Sequence, residues 1–473
     1  MSAPSQENRS VRVWTAIAVA IGLALRLARP EVHSLWIDEG MTVLVASAPD
    51  PFALLHRDSH PPLSFLLFRA WISAFGPGDL ALRLLPALVS CASLVVFAPL
   101  ARAWLGRERA PWAVGLYAVA PLLVWYAHEV RMYAFVELTA LVVLWAARGA
   151  WAAPSATRWV ALSAATAVAT GFHYYGALAG LAVVAQAACV RSRSGLRTAL
   201  AAGAGVLVWT PWLAAYLPSQ RDGSWPVIAR TAPRDLAELP ARLVAVDLQA
   251  LVDHGLTAVV WILGALALSG FVFGCARAIA RRAEPELDAL LAALVPLAGA
   301  YLLTAFAGGG LQPRYLTPGI PGTIACIAAG LLFARPAVLG RAACVLLVAC
   351  ASTLTVLQLS ENRREDYRTA TTEIGERWRD GDRLLLLVCV PDPYVAATVD
   401  HYLRDRPDIR ASRLDAEKYL SGVDRPPSGT RVHVLWREAT LCWEPMDRLA
   451  RSHAILERSP ARFRIHRLLT LVP

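Results

Sequence analysis

The stretch VWTAIAVAIGLALRLARPEVHSLWIDEGMT, residues 13–42, joins a long apolar run to two adjacent carboxylates, Asp38 and Glu39. A bilayer's hydrocarbon core is about 30 Å thick and takes about 20 mainly apolar residues of helix to cross. Arg26 interrupts the run and no clear small-residue cleavage site follows it, so the run is better explained as a retained first span than as a cleaved signal peptide. The stretch predicts a membrane helix followed by two acidic residues at the membrane surface.

The composition of the whole chain agrees with a membrane protein. Of 473 residues, 56% are apolar and only 17% are charged, and the mean hydropathy is +0.45. These values exclude an ordinary soluble domain. About 38 charged residues fall in the last 114 positions, from Ser360 onward, against about 44 in the preceding 359. We therefore predict a transmembrane domain of residues 1–359 and a small soluble α/β domain of residues 360–473.

Apolar runs of membrane-crossing length recur about eleven times before Ser360. Their approximate ranges are 13–29, 80–101, 111–127, 132–147, 159–173, 175–190, 198–216, 256–276, 287–306, 316–334 and 340–358. Every second connection carries an arginine cluster, which the positive-inside rule places in the cytoplasm. The pattern predicts a polytopic α-helical protein of the cytoplasmic (inner) membrane, with a cytoplasmic N-terminus and an extracytoplasmic C-terminal domain.

The net charge of +10 raises the question of an acidic partner. Almost all the cations are arginines, with Lys418 as the single lysine, and they form short clusters between apolar runs instead of a stripe with interleaved aromatics. They are therefore topology signals, and the partner they indicate is the lipid bilayer. No nucleic acid partner is predicted.

The connections on the opposite side hold the unusual polar residues. Residues 30–79 include IDEG and HRDSHPPL, and we expect helices lying along the membrane interface there. The same side holds AHEVRMY at 127–133 and AGGGLQPRY at 307–315, and the trio His173, Tyr174 and Tyr175, for which an interfacial aromatic belt is the favoured explanation. Chemistry, if present, gathers on this face.

Arginines, aromatics and carboxylates at one membrane face suit a lipid-linked phosphate. Arg83 lies inside a predicted span, where a charge costs at least about 2.5 kcal/mol and indicates a partner or an anionic ligand, although snorkelling to the interface is an alternative. The guanidinium is a permanently charged planar fork that fits phosphate oxygens. A sugar leaves a lipid phosphate as a stable anion without a general acid, so one carboxylate base suffices, whereas glycoside hydrolysis normally uses two.

Five motifs, taken in order, resemble a known family: LWIDEG, HPPLSFLL, ALRLLPAL, YAHEVRMYAF and QPRYLTP. Together they are similar to the bacterial C-type glycosyltransferases of family 39, related to protein O-mannosyltransferases and lipid A aminoarabinose transferases, over about residues 10–360. The resemblance implies the C-type glycosyltransferase fold. It also implies transfer of a sugar from a polyprenyl-phosphate donor to a cell-envelope acceptor that is a lipid, a glycan or a protein.

The resemblance also implies a role for each motif residue. Asp38 would be the catalytic base and Glu39 its support. Residues expected at the donor phosphate or sugar are Arg83, Arg131, Tyr133, Arg314 and Tyr315, and those expected on the acceptor side are His60 and Glu129. Some relatives hold a divalent metal near this face; His60, His128, Glu39 and Glu129 are conceivable ligands here, but no spacing requires a metal, and no cofactor is assigned.

The polar tail has its own pattern. Residues 383–390 and 431–438 are strand-like, residues 393–405 and 445–459 are helix-like, and RFRIHRLLTLV suggests a last strand. Cys389 and Cys442 also fall there, and a disulfide between them is as compatible with the sequence as two unpaired thiols.

Two other functions stay open at this level. A transporter or flippase of lipid-linked saccharides would also use arginines near a head group, but it typically shows internal repeats and polar groups at the bilayer midplane. A non-catalytic scaffold that binds envelope proteins through its tail is the other. The gathering of polar residues at one face favours the transferase.

Overall fold

The computed structural model describes residues 6–56, 58–190, 193–222, 257–281, 284–307, 310–334, 336–387, 393–423, 425–437, 454–458 and 466–472. The chain divides into two compact units. The membrane unit comprises Met1–Pro30, Asp50–Gly76 and Leu80–Ser360, and the tail unit comprises Glu31–Pro49, Pro77–Asp79 and Glu361–Pro473. Each unit is described by itself.

The membrane unit is built from helices. Along the chain they are α1 Gln6–Leu27, α3 Phe52–Leu55, α4 Leu63–Phe75, α5 Asp79–Leu105, α6 Ala110–Val119, α7 Pro121–Ala127, α8 Tyr133–Ala152, α9 Ala156–Phe172, α10 Ala177–Val190, α11 Arg193–Leu207, α12 Thr210–Asp222, α13 Thr257–Arg281, α14 Glu284–Ala307, α15 Ile320–Leu332 and α16 Ala337–Gln358. Short 3-10 turns lie at Tyr174–Gly176 and Pro313–Gly319. Helix α2, Ile37–Ser47, belongs to the tail unit, and so does Asp79, the first residue of α5.

The predicted polytopic helical fold is confirmed. Within the described ranges, seven helices are long and apolar enough to cross a membrane, or nine if each of two bent pairs is one span. The pairs are α6 with α7, bent by 53°, and α11 with α12, bent by 47°. The remaining two predicted spans are present as the shorter helices α9 and α10, so every predicted apolar run has a helical counterpart.

A buried arginine ties three of these helices together. Arg26 of α1 is fully buried; its guanidinium donates to Ser90 Oγ of α5 at 3.0 Å and to the Ala118 carbonyl of α6 at 2.8 Å. Glu137 of α8 accepts from Ser90 and from the Tyr117 hydroxyl. A charge in this setting is tolerated only when it is paired and hydrogen-bonded. The network therefore fixes how α1, α5, α6 and α8 meet.

Helices α13 and α15 meet through small residues. Gly270 and Gly274, spaced as GxxxG on α13, face Cys326 and Gly330 of α15. A Cβ on Gly274 would collide with the Cys326 carbonyl, and one on Gly330 with the Gly270 carbonyl. Close backbone approach through small residues is a common way for helices to associate where hydrocarbon gives no hydrophobic driving force.

The tail unit is an α/β fold. Its strands are β1 Arg383–Leu387, β2 Arg413–Leu414, β3 Val432–Arg437, β4 Ala454–Arg458 and β5 His466–Val472. They form one sheet in the order β2-β1-β3-β5-β4, parallel for β2-β1-β3 and antiparallel for the rest. Its helices, besides α2, are α17 Tyr367–Arg377, α18 Pro393–Tyr402, α19 Pro407–Ala411 and α20 Ala416–Leu420.

The apolar core of the tail unit lies on both faces of β1. Leu384 and Leu386 pack against residues of α17 and α18 and against Ile37 of α2. Leu385 and Leu387 point the other way and pack against Tyr419 of α20. A parallel strand buried on both faces has a continuous apolar sequence, which explains the run of four leucines.

One tail prediction is wrong and one lies outside the described residues. The helix-like pattern of residues 445–459 fails at 454–458, which form β4 and pair antiparallel with β5. The pairing satisfies the backbone of an edge segment whose sequence alone fits either structure, so tertiary context decides. Cys389 and Cys442 lie outside the described residues.

We expect Gly274→Ala to lower the thermal stability of the purified protein in detergent. The added Cβ meets backbone atoms of Cys326 that no rotamer change can move, and overpacking of this kind costs about 1–3 kcal/mol. Gly203→Ala on α11 is the matched control, since an added Cβ there meets nothing within 4 Å. Equal melting temperatures for the two variants would contradict the close α13–α15 contact.

Candidate functional site

A cluster of polar side chains in the membrane unit is built from four connecting segments. The loop before α4 supplies Asp58 and His60, the turn before α8 supplies Arg131, and the turn after α9 supplies His173. The fourth segment is the 3-10 turn Pro313–Gly319 with Arg314. We call these residues, with the rings of Tyr133, Tyr175 and Tyr315, the histidine–arginine cluster.

An ion pair and an imidazole form one side of the cluster. Asp58 Oδ2 accepts from Arg131 Nη1 at 3.2 Å, and Asp58 Oδ1 bonds His60 Nδ1. Burial alone raises the pKa of Asp58, but the charges of Arg131 and His60 hold it well below its usual value. Asp58 is therefore an anion that holds the guanidinium of Arg131 in place. Arg131 itself is only 2% exposed.

His173 forms the other side, with its ring centre 4.9 Å from that of His60. Its Nδ1 accepts the backbone N–H of Tyr175 at 3.0 Å. Burial lowers the pKa of His173 well below its usual value, and His60, Arg131 and Arg314 lower it further. The ring is therefore neutral and carries its proton on Nε2, because Nδ1 acts as an acceptor.

Aromatic rings line the space beside the two histidines. Tyr175 and Tyr315 stack with their ring centres 4.8 Å apart. The guanidinium carbon of Arg314 lies 5.7 Å from the Tyr315 ring centre and 6.0 Å from that of Tyr133. Planar cations favour positions near aromatic rings, so the rings help to place Arg314.

Gln220 of α12 braces the loop that carries His60. Its Nε2 donates to the carbonyls of Leu55 and His60, at 3.1 and 3.2 Å. Its Oε1 accepts from the Tyr174 hydroxyl at 2.7 Å, and that hydroxyl accepts from Trp212 Nε1. The backbone on both sides of Asp58 is thereby tied to a helix far away in sequence.

Two further predicted residues lie at the turn that presents Arg131. The Arg83 guanidinium is fully buried and donates to the carbonyl of His128. The His128 ring donates from Nε2 to the Arg26 carbonyl at 2.8 Å. Glu129 is 3% exposed, and its carbonyl accepts from the Arg131 N–H at 2.7 Å. Arg83 and His128 thus hold the turn from both sides.

The predicted acidic pair lies in the tail unit, in the first turn of α2. Glu39 is fully buried; Oε1 accepts from Arg364 Nη1 at 2.5 Å and Oε2 accepts the Trp36 N–H at 3.1 Å. Asp38 is half-buried. Glu39 therefore helps to cap the N-terminus of the helix that carries Asp38.

Helix α2 is held against α18 by a close approach at Gly40. A Cβ at this position would collide with the hydroxyl of Thr398 and would lie 2.9 Å from its Cα. The Thr398 hydroxyl donates to the Tyr394 carbonyl at 2.8 Å. The glycine of IDEG is thus required because only hydrogen fits between the two helices.

The sequence missed three residues that the geometry singles out. Asp58 stands inside HRDSHPPL, and an acid two residues before a histidine was an available signal. Arg364 could not be found, because its partner Glu39 is more than 300 positions away. His173 was assigned to an aromatic belt, but it is 4% exposed and belongs to the histidine–arginine cluster.

Residues 59–214 match the sequence family described as "Dolichyl-phosphate-mannose-protein mannosyltransferase". The crystal structure of ArnT from Cupriavidus metallidurans in the apo state superposes with a TM-score of 0.62, at 16% identity over 97% of each chain. ArnT bound to undecaprenyl phosphate gives 0.58, at 14% identity over 97% of each chain. The chain has the fold of the C-type glycosyltransferases.

More distant structures share this fold. The oligosaccharyltransferase of Archaeoglobus fulgidus with Zn and sulfate has a TM-score of 0.54, with 13% identity over 90% of this chain and 68% of that chain. AglB of the same organism, solved with an inhibitory peptide and a dolichol-phosphate, has a TM-score of 0.51 at 12% identity, over 90% of this chain and 69% of that one. No curated protein sequence matches the chain. The resemblance predicted from the motifs is confirmed.

Three of the four conceivable metal ligands have partners within the protein. His128 Nε2 donates to a carbonyl, Glu39 pairs with Arg364, and His60 Nδ1 bonds Asp58. In the described part of the chain, no group of three or more His, Cys, Asp or Glu side chains could hold a metal ion.

The C-type fold brings five of the predicted residues into one cluster: His60, Arg131, Tyr133, Arg314 and Tyr315. Arg83 and Glu129 lie at the turn beside Arg131. Asp38 and Glu39 belong to the other unit, so their roles as base and support, which the resemblance implies, stay predictions.

We expect Asp58→Asn to destabilise the protein by about 3 kcal/mol at neutral pH, because it leaves the Arg131 charge buried without its counter-ion. The Asp58 pKa is lower in the folded protein than in the unfolded chain. The ionised Asp58 therefore makes its full contribution to the free energy of unfolding above about pH 4, and this contribution is lost as the pH falls below that value.

The measurement is the melting temperature of both proteins from neutral to acidic pH. The difference in melting temperature between the wild type and Asp58→Asn should become smaller as the pH is lowered. Asp405→Asn is the control, since the Asp405 side chain is 87% exposed and its loss should change little. A constant deficit at all pH values would contradict an ionised Asp58.

Proposed function

We propose that the protein is a membrane glycosyltransferase that moves a hexosyl or pentosyl group from a polyprenyl-phosphate donor to a cell-envelope acceptor. The observation that carries the proposal is the histidine–arginine cluster within a C-type fold, in which Arg131, Tyr133 and His173 are buried. Relatives solved with undecaprenyl phosphate and with dolichol-phosphate support the donor class.

The arginines of the cluster would bind the donor phosphate. Arg131 is fixed by Asp58 and Arg314 lies over two tyrosine rings, so both guanidinium planes are positioned before a ligand arrives. Preorganised cations in a weakly screened site stabilise the charge that develops on a leaving group. Arg83 supports the same site through the turn that carries Arg131, and Tyr133 and Tyr315 would position the sugar.

The reaction exchanges one bond at the anomeric carbon. An acceptor hydroxyl oxygen attacks that carbon while its bond to the phosphate oxygen breaks, and the bonding pair leaves with the polyprenyl phosphate. The acceptor's proton passes to a carboxylate base. The departing phosphate is already a stable anion, so no general acid is needed.

Asp38 is the base we assign. The assignment follows the motif IDEG, and Glu39 would support the base by holding the first turn of the helix, since its two carboxylate oxygens accept from Arg364 and from the Trp36 N–H. His60 and Glu129 would line the acceptor side. We further propose that the protein lies in the cytoplasmic membrane with its N-terminus inside and the α/β tail on the extracytoplasmic face, where the acceptor is found.

We expect Asp38→Asn to reduce sugar transfer by about 100-fold or more, the usual contribution of a general base, without lowering the melting temperature. Glu39→Gln should reduce both the transfer rate and the melting temperature, because the buried Arg364 then loses the carboxylate charge of Glu39. Asp50→Asn, an exposed acid that accepts from the Phe52 N–H, is the matched control and should retain transfer.

The assay uses the full-length protein in vesicles containing a polyprenyl-phosphate sugar and an envelope extract, with mass spectrometry of the products. Full transfer by Asp38→Asn would refute the base. Movement of the lipid-linked sugar across the vesicle membrane without any transfer product would instead favour a flippase.

A further inference from the structure

The ring of His173 lies within the histidine–arginine cluster and has a buried donor. The residue is 4% exposed, and its Nε2 has no hydrogen-bond partner in the described part of the chain. Since Nδ1 accepts the Tyr175 N–H, the neutral ring carries its hydrogen on Nε2. A buried donor left unsatisfied is costly, so this position calls for an acceptor.

No neighbouring side chain in the described part of the chain accepts from His173 Nε2. Arg131 and Arg314 carry only donors, and the ring contacts at 4.9 to 6.2 Å are to His60, Tyr175, Tyr315 and Tyr133. Asp58 already accepts from His60 and Arg131. The missing acceptor is therefore a ligand atom or a water, and two nearby guanidiniums favour an anionic oxygen over a neutral one.

We propose that His173 is a ligand-binding residue whose Nε2–H donates to a non-bridging oxygen of the phosphate group of a polyprenyl phosphate. This inference rests on the proposed function and deepens it by naming a neutral donor beside the two arginines. Electrostatic attraction depends little on direction, whereas a fixed N–H donates to an oxygen in one position only. His173 thus orients the phosphate that Arg131 and Arg314 attract.

Two substitutions separate the ligand from the local structure. The amide nitrogen of His173→Gln reaches about as far as Nε2, so this variant keeps the ligand donor and loses the acceptor for the Tyr175 N–H. His173→Asn does the reverse, because its short amide reaches only the Nδ1 position. A purely structural role for His173 would make Asn the milder change, and a ligand role makes Gln the milder change.

The experiment measures binding of undecaprenyl phosphate, undecaprenol and inorganic phosphate to the full-length protein in detergent. For undecaprenyl phosphate we expect His173→Asn and His173→Phe to weaken binding about 10-fold or more, as for one hydrogen bond to a charged group, and His173→Gln to weaken it less than about 3-fold. Undecaprenol binding should be the same in all variants. The melting temperature of each variant checks that it folds.

Each outcome decides the inference. Equal undecaprenyl phosphate binding in the wild type and His173→Phe would show that Nε2 binds water alone, and a milder effect of Asn than of Gln would assign a structural role. Either result overturns the inference and leaves the proposed function intact. Inorganic phosphate bound as tightly as the lipid would contradict the lipid source. No undecaprenyl phosphate binding by the wild type would contradict both the proposed lipid class and the role of His173.

Discussion

A charge inside a membrane helix must find its partners within the protein, and Arg26 shows how far that constraint reaches. Its guanidinium bonds side chains and carbonyls of α5 and α6, while its own carbonyl accepts from the His128 ring. His128 in turn gives its carbonyl to Arg83. One buried cation thus connects the packing of three helices to the turn that presents Arg131 at the histidine–arginine cluster.

The same rule explains how the two acids of IDEG differ. Glu39 is buried and can remain charged because Arg364 and a backbone N–H face its two oxygens. Asp38 is half-buried, one step around the same helix. Two adjacent carboxylic acids thereby have different surroundings, and the partners of Glu39 hold the first turn of the helix. This difference depends on Arg364, a residue of the tail unit, which therefore supports the helix that carries the proposed base.

The sequence predicts the fold well because the membrane imposes long apolar runs that are visible without any tertiary information. Every predicted span has a helix, and the leucine run at β1 identified a buried strand. Residues 454–458 could not be assigned, because five residues of mixed pattern become a strand only when β5 lies beside them. Arg83 is noticeable in the sequence because a charge inside a membrane span is expensive, whereas Arg131 and Arg314 are identified by the family motifs, and the roles of all three stay predictions. Arg364 and Gln220 are not identified from the sequence, because each acts through partners that are distant in sequence.

The case of His173 shows why a compositional rule fails inside a site. Aromatic and histidine residues near a membrane face usually form a belt, and belt residues keep one edge in water. His173 is instead 4% exposed and lies beside Tyr175 and Tyr315, and one of its ring nitrogens accepts from the backbone. Burial turns the tautomer into a fixed property of the fold, since a neutral ring with an occupied Nδ1 has only Nε2–H to offer. A cluster that combines such a donor with two guanidiniums is complementary to an anion with several oxygens, and a phosphate has that shape.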